Sequence, residues 1–167
     1  MKPKTVRRAQ SEQDSQTRAY PMHAGIVADS IIFTAEGEIP VKYLLPCDKV
    51  VTRNSGMVTM LDTFARRTSA AAVAIKAGSL GYTRPDHDVI ITAIQHILVR
   101  HWREQSMFGK AQAVVEAGDL IDGGFITDLG TRDLQLVHLT FDRQHVIYAD
   151  GLEISVQLAK AMAAIAA

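Results

Sequence analysis

Six histidines, His23, His87, His96, His101, His138 and His145, are the groups in this sequence best suited to proton transfer or metal ligation. A nucleophile-and-base arrangement needs Ser, Thr or Cys beside a histidine that a third group orients. Thr92 stands four residues before His96, and Ser30, Ser155 and the single cysteine, Cys47, are the other candidate nucleophiles. Spacing does not choose among them. Zinc would want three or four converging ligands, and His96, His138 and His145 are the set that distant strands could assemble. No two of them form a tight ligand motif.

Each candidate also has a plainer role. In LQLVHLTF, alternation puts His138 on one strand face with Leu134 and Leu136, as a core or rim histidine would be. Asp142-Arg143 reads as a solvated hairpin corner, whose surface ion pair contributes about 0–1 kcal/mol. Cys47 sits in the turn Pro46-Cys47-Asp48, where a glycine would relieve a positive φ. A reactive thiol would need a cation beside it, and Lys49 is the nearest in sequence. Structure is the stronger reading for this cysteine.

Short β-type runs must position these groups. Residues 30–34, 49–52, 58–64, 72–76, 89–91, 97–101, 124–127, 134–141, 146–149 and 152–156 are rich in β-branched and aromatic residues. Turn chemistry separates them, at Glu36-Gly37, Asn54-Ser55-Gly56, 78–81, 122–124 and Asp150-Gly151. Closely spaced short strands predict an all-β, mainly antiparallel fold, since an α/β chain would alternate strands with longer helical stretches. Short helical turns are expected at 41–45 and 115–120, and the Ala-rich segment 157–167 is expected to be a short C-terminal helix or a frayed tail.

Length and charge set the outer limits. The 167 residues, 47% of them hydrophobic, suit one domain with its own core. Eighteen basic and eighteen acidic residues cancel, which argues against nucleic acid or an anionic membrane surface as partner. Residues 1–24 carry Lys2, Lys4, Arg7, Arg8 and Arg18 against Glu12 and Asp14, and read as a basic, disordered tail. One cysteine leaves no intrachain disulfide. With no apolar run of membrane-spanning length and no apolar signal core, the expectation is a soluble, by default cytoplasmic protein, with the compartment itself open.

Four stretches, in order, carry a family resemblance. DSIIFTAEGEIPVKYLLPCDKVVTRNSG, VAIKAGSLGYTRPDHDVIITAIQHILV, VVEAGDLIDG and LVHLTFDRQHVIYADGLEISV together resemble a Hint domain of the bacterial Hedgehog/intein-like type over residues 25–156. The resemblance implies a horseshoe-shaped β disc with pseudo-twofold halves, in which the domain's two chain ends meet. In working members a Cys or Ser opening the first strand attacks the preceding peptide carbonyl. A Thr-x-x-His histidine and polar residues of the closing strands assist, by polarising the scissile amide and stabilising the oxyanion. His96 matches that histidine, His138 and Asp142 match polar positions of the closing strands, and Asp48 matches the turn aspartate.

The departures fall on the chemistry. Counting back from Thr34, the nucleophile position falls near Gly25, and neither Gly25 nor Ile26 has a group that can attack; Ser30 matches a strand position that usually holds Thr. Ala93 stands three before His96, although Thr92 adjoins it, and Gln144 takes the place of the closing histidine with His145 displaced by one. The sequence's one asparagine, Asn54, is in an interior turn, so terminal Asn cyclisation has no residue here. Cys47 replaces the turn glycine and is not the family's nucleophile. The expectation is a Hint domain without autoproteolysis or splicing that acts as a protein-binding or protein-handling module, its partner another protein or an attached segment, with no cofactor or metal. The alternative is residual self-cleavage by an acyl shift, with Ser30 as nucleophile and His96 as base.

Overall fold

The computed structural model describes residues 25–81, 83–100 and 112–156, and the expected tails at 1–24 and 157–167 lie outside them. Twelve strands form two antiparallel sheets among the described residues. The first has the order β1 (Ile26–Val27), β10 (Ile126–Thr140), β6 (Asp62–Ile75), β7 (Val89–Thr92). The second runs β3 (Gly37–Pro40), β2 (Ile31–Thr34), β4 (Lys49–Thr52), β11 (His145–Ala149), β12 (Leu152–Val156), β8 (His96–Val99), β9 (Ala113–Glu116). Strand β5 (Gly56–Thr59) pairs with β4, and β2 also touches β11. The only helical pieces among the described residues are 3-10 turns at Val41–Tyr43 and Ala117–Leu120.

The main surprise is the β6–β10 ribbon, which pairs continuously from Asp62↔Thr140 to Ile75↔Ile126 apart from one shift between Asp128 and Gly130. The sequence reads each of these strands as two separate pieces. The middle, Ser69 to Ala72 against Gly130 to Asp133, is exposed along its β10 side and carries few large apolar side chains. Its backbone groups are satisfied within the ladder, so it needs no buried side chains to stay extended.

The chain passes between the sheets at 28–30, 60–61, 93–95, 117–125 and 141–144. Main-chain bonds hold these crossings: Ser30 N–H donates to Val27 O and Val41 N–H to Ser30 O, Leu61 N–H donates to Thr140 O, and Ala93 N–H donates to Ala71 O. Between the sheets lies one apolar core, with Ile32, Val50, Met60, Val73, Ile75, Ile97, Phe141, Ile147 and Ile154 fully buried or nearly so. Strands β1, β3 and β9 are not anticipated from sequence. Each is only two to four residues long, too short for an alternation to show.

Candidate functional site

Strand β1 lies along β10 with Ile26 opposite Val137 and Val27 opposite Leu136. Gly25, just before it, takes φ +126°, a backbone conformation that residues with a Cβ rarely adopt. A Cβ built at Gly25 would lie 3.0 Å from Leu136 Cβ and 3.1 Å from His138 Nε2. A side chain at Gly25 would therefore be both strained and crowded by Leu136 and His138 of β10. Gly25 and His138, far apart in sequence, are brought into direct apposition by the β1–β10 pairing.

His138 faces Phe64 of β6, its ring 6.1 Å from the phenyl ring. It is buried, and burial, with the nearby Arg66 cation as a lesser cause, lowers its pKa to about 4. At neutral pH the imidazole is uncharged. It is thus a neutral hydrogen-bonding group set against the main chain at Gly25.

The remaining site candidates stand at sheet crossings. Ser30 is buried in the 28–30 crossing, with both of its main-chain groups hydrogen-bonded. Thr92 ends β7 opposite Ala72; it is fully buried, and among the described residues its hydroxyl has no hydrogen-bond partner. His96 opens β8 opposite Glu116, half-buried, after a turn closed by the Gln95 N–H to Thr92 O bond. The Gln95 side-chain amide then donates to His96 O and Ser155 O, tying this turn to β12.

Asp142 is exposed in the 141–144 crossing, its Oδ1 3.0 Å from Nε2 of His145. That hydrogen bond is the main cause holding the Asp142 carboxyl below its ordinary pKa. His145 is buried and meets Phe141 edge-on with ring centroids 5.5 Å apart. Gln144, an exposed residue, donates from its side-chain amide to Oγ of the buried Ser155. So the displaced closing histidine is turned into the body of the fold and paired with Asp142.

Ser30 and His96 are not brought together by the sheet. Strand β2, which follows Ser30, and β8, which His96 opens, are linked through β11 and β12, a path of three strand spacings or roughly 14 Å. Among the described residues no three His, Cys, Asp or Glu side chains group as metal ligands would. No described helix is long and apolar enough to cross a membrane.

A family model described as the Hint domain matches residues 24–157. Two solved structures share the fold. One is the bacterial intein-like domain from Clostridium thermocellum, 18% identical with a TM-score of 0.53, covering 80% of this chain and 97% of that one. The other is a DnaB intein from Synechocystis sp. PCC 6803, 14% identical with a TM-score of 0.54, covering 80% of this chain and 99% of that one. No curated protein matches. With these matches, and with Gly25, Thr92, His96, His138 and Asp142 on the opening strand, the middle crossing and the closing strands, the chain belongs to the Hint domain family.

What sequence reasoning missed here is steric. That Gly25 lacks a nucleophile is visible in the sequence, but that β10 occupies the space beside it is not. The pairing of Asp142 with His145 has a weak sequence signal, an i to i+3 spacing across a hairpin corner.

Proposed function

We propose that this Hint domain does not process itself and acts as a module that binds or handles another polypeptide. The observation that carries the first half is Gly25 itself: an acyl shift begins with a side chain attacking the preceding carbonyl, and this position has no side chain, a φ of +126° that residues with a Cβ rarely adopt, and Leu136 and His138 within 3.0–3.1 Å of where a Cβ would sit. The acid–base groups around the position then have no nucleophile to serve. Polypeptide binding is favoured by the exposed apolar side chains Tyr43, Leu45, Met57 and Leu61, which lie on segments joined by the Cys47 N–H to Met60 O bond.

Prolonged incubation of the purified protein with and without hydroxylamine or thiol, read by intact mass, tests the first half. The full-length mass is expected to persist under all conditions. A fragment beginning between Gly25 and Ser30, lost in Ser30→Ala and in His96→Ala, would establish the self-cleaving alternative instead. For the second half, a soluble peptide library should yield peptides retained by the wild type and released by Leu45→Glu; no retention by the folded protein would remove that part of the proposal.

A further inference from the structure

The 3% exposed carboxylate of Glu153 lies on β12 among three arginines, Arg53, Arg84 and Arg100. Arg100 alone satisfies it, with Nε donating to Oε2 at 3.2 Å and Nη2 paired to Oε1. Such a fork is the geometry in which one guanidinium neutralises one buried carboxylate. Arg53 and Arg84 stand further off, at 3.5 and 3.4 Å from the same Oε1, too long for well-formed charged hydrogen bonds. The group thus carries three cations against one anion. Among the described residues Arg84 makes no side-chain hydrogen bond, and it is about half exposed.

Arg84, Arg100 and Glu153 also line a cavity of about 330 Å³, with Leu80, Ile97, Val99 and Leu152 as apolar wall, so the arginines there both neutralise the Glu153 carboxylate and exceed it in charge. Ligand sites combine an apolar wall with a few convergent polar groups, and this volume is at the small end of their range of roughly 300–1,000 Å³. A surface ion-pair network would need neither the cavity nor the surplus charge.

We propose that this cavity binds an oxyanion, a carboxylate or phosphate group on a small ligand or at a polypeptide terminus, with Arg84 as the principal donor. The unused guanidinium donors supply the paired N–H groups that an oxyanion accepts. Leu80 and Leu152 would flank whatever apolar group carries it. This site is separate from Gly25 and His138 and stands or falls without the proposal on processing.

The test is an NMR titration of the full chain, following arginine side-chain and backbone resonances at constant ionic strength set with sodium chloride. The probes are inorganic phosphate, acetate, and an N-acetylated tripeptide with either a free or an amidated C-terminus. Saturable shifts at Arg84, Gly81 and Gly151 with phosphate or acetate would support binding of a small oxyanion. Shifts that need the free tripeptide carboxylate would support a polypeptide terminus. In either case Arg84→Ala should weaken binding by roughly tenfold or more without altering the unliganded spectrum elsewhere, and Arg84→Lys, which keeps the charge but loses the fork, should also weaken it. No saturable shift with any probe, or equal shifts in wild type and Arg84→Ala, would overturn the proposal.

Discussion

Gly25 is a residue whose missing side chain decides more than most side chains present. Restoring the family's chemistry by Gly25→Cys must place a Cβ at a φ of +126° and within about 3 Å of Leu136 and His138. The expected outcome is a loss of about 2 kcal/mol or more in urea unfolding, from backbone strain and overpacking together. No cleavage should appear by intact mass. His138 gives the second residue-scale prediction. Its folded pKa, about 4, lies below the unfolded value of 6.5, so between these pH values the unfolded state binds more protons. Its contribution is complete above pH 6.5 and declines as the pH falls, by up to about 1.4 kcal/mol per unit until about pH 4. His138→Gln should flatten the pH dependence of stability in that window, and wild type and variant should have parallel profiles above pH 7. The low pKa itself was out of reach from sequence. Alternation placed His138 on a strand face, but the neutral state depends on how deeply β1, β6 and β10 bury that face.

At the scale of elements, Cys47 shows local chemistry being read correctly. The turn it occupies was expected to favour glycine, and Cys47 adopts φ 78° with an exposed thiol. Cys47→Gly should therefore stabilise the protein by about 1 kcal/mol in thermal or urea unfolding, since a left-handed residue is strained only when it carries a Cβ. The β6–β10 ribbon shows local chemistry being misread. Hydrophobic runs locate its two ends and leave the middle unassigned, because alternation detects strands through burial while backbone pairing needs none. Gly130, at φ 67° beside the register shift, bends the ribbon there. Gly130→Val should cost about 1 kcal/mol or more and leave the unfolding cooperative. Strands β1, β3 and β9 are not legible in the sequence because two to four residues are too few for a period to show and become strands only when a neighbour offers its edge.

Across the whole molecule, the chain passes from one sheet to the other at or beside Ser30, Thr92, His96 and Asp142, an arrangement set by the strand order in the two sheets. The Glu153 cluster has the same origin: its arginines come from residues 53, 84 and 100, with no shared motif. Arg100→Ala should destabilise the fold by about 2 kcal/mol in urea, because a nearly inaccessible carboxylate loses the partner that hydrogen-bonds it. Arg84→Ala should cost far less, being half exposed and not hydrogen-bonded to that carboxylate. From sequence alone came the all-β class, most turns, the family resemblance and the absence of an attacking group at Gly25, all of which depend on residue type and order along the chain. The tertiary structure alone decided that Leu136 and His138 crowd Gly25, that His138 is held neutral, that Asp142 is partnered by His145 and that three arginines surround one glutamate. Each of these rests on distances between residues far apart in sequence, which the strand register and the crossings between sheets determine and which local pattern does not contain.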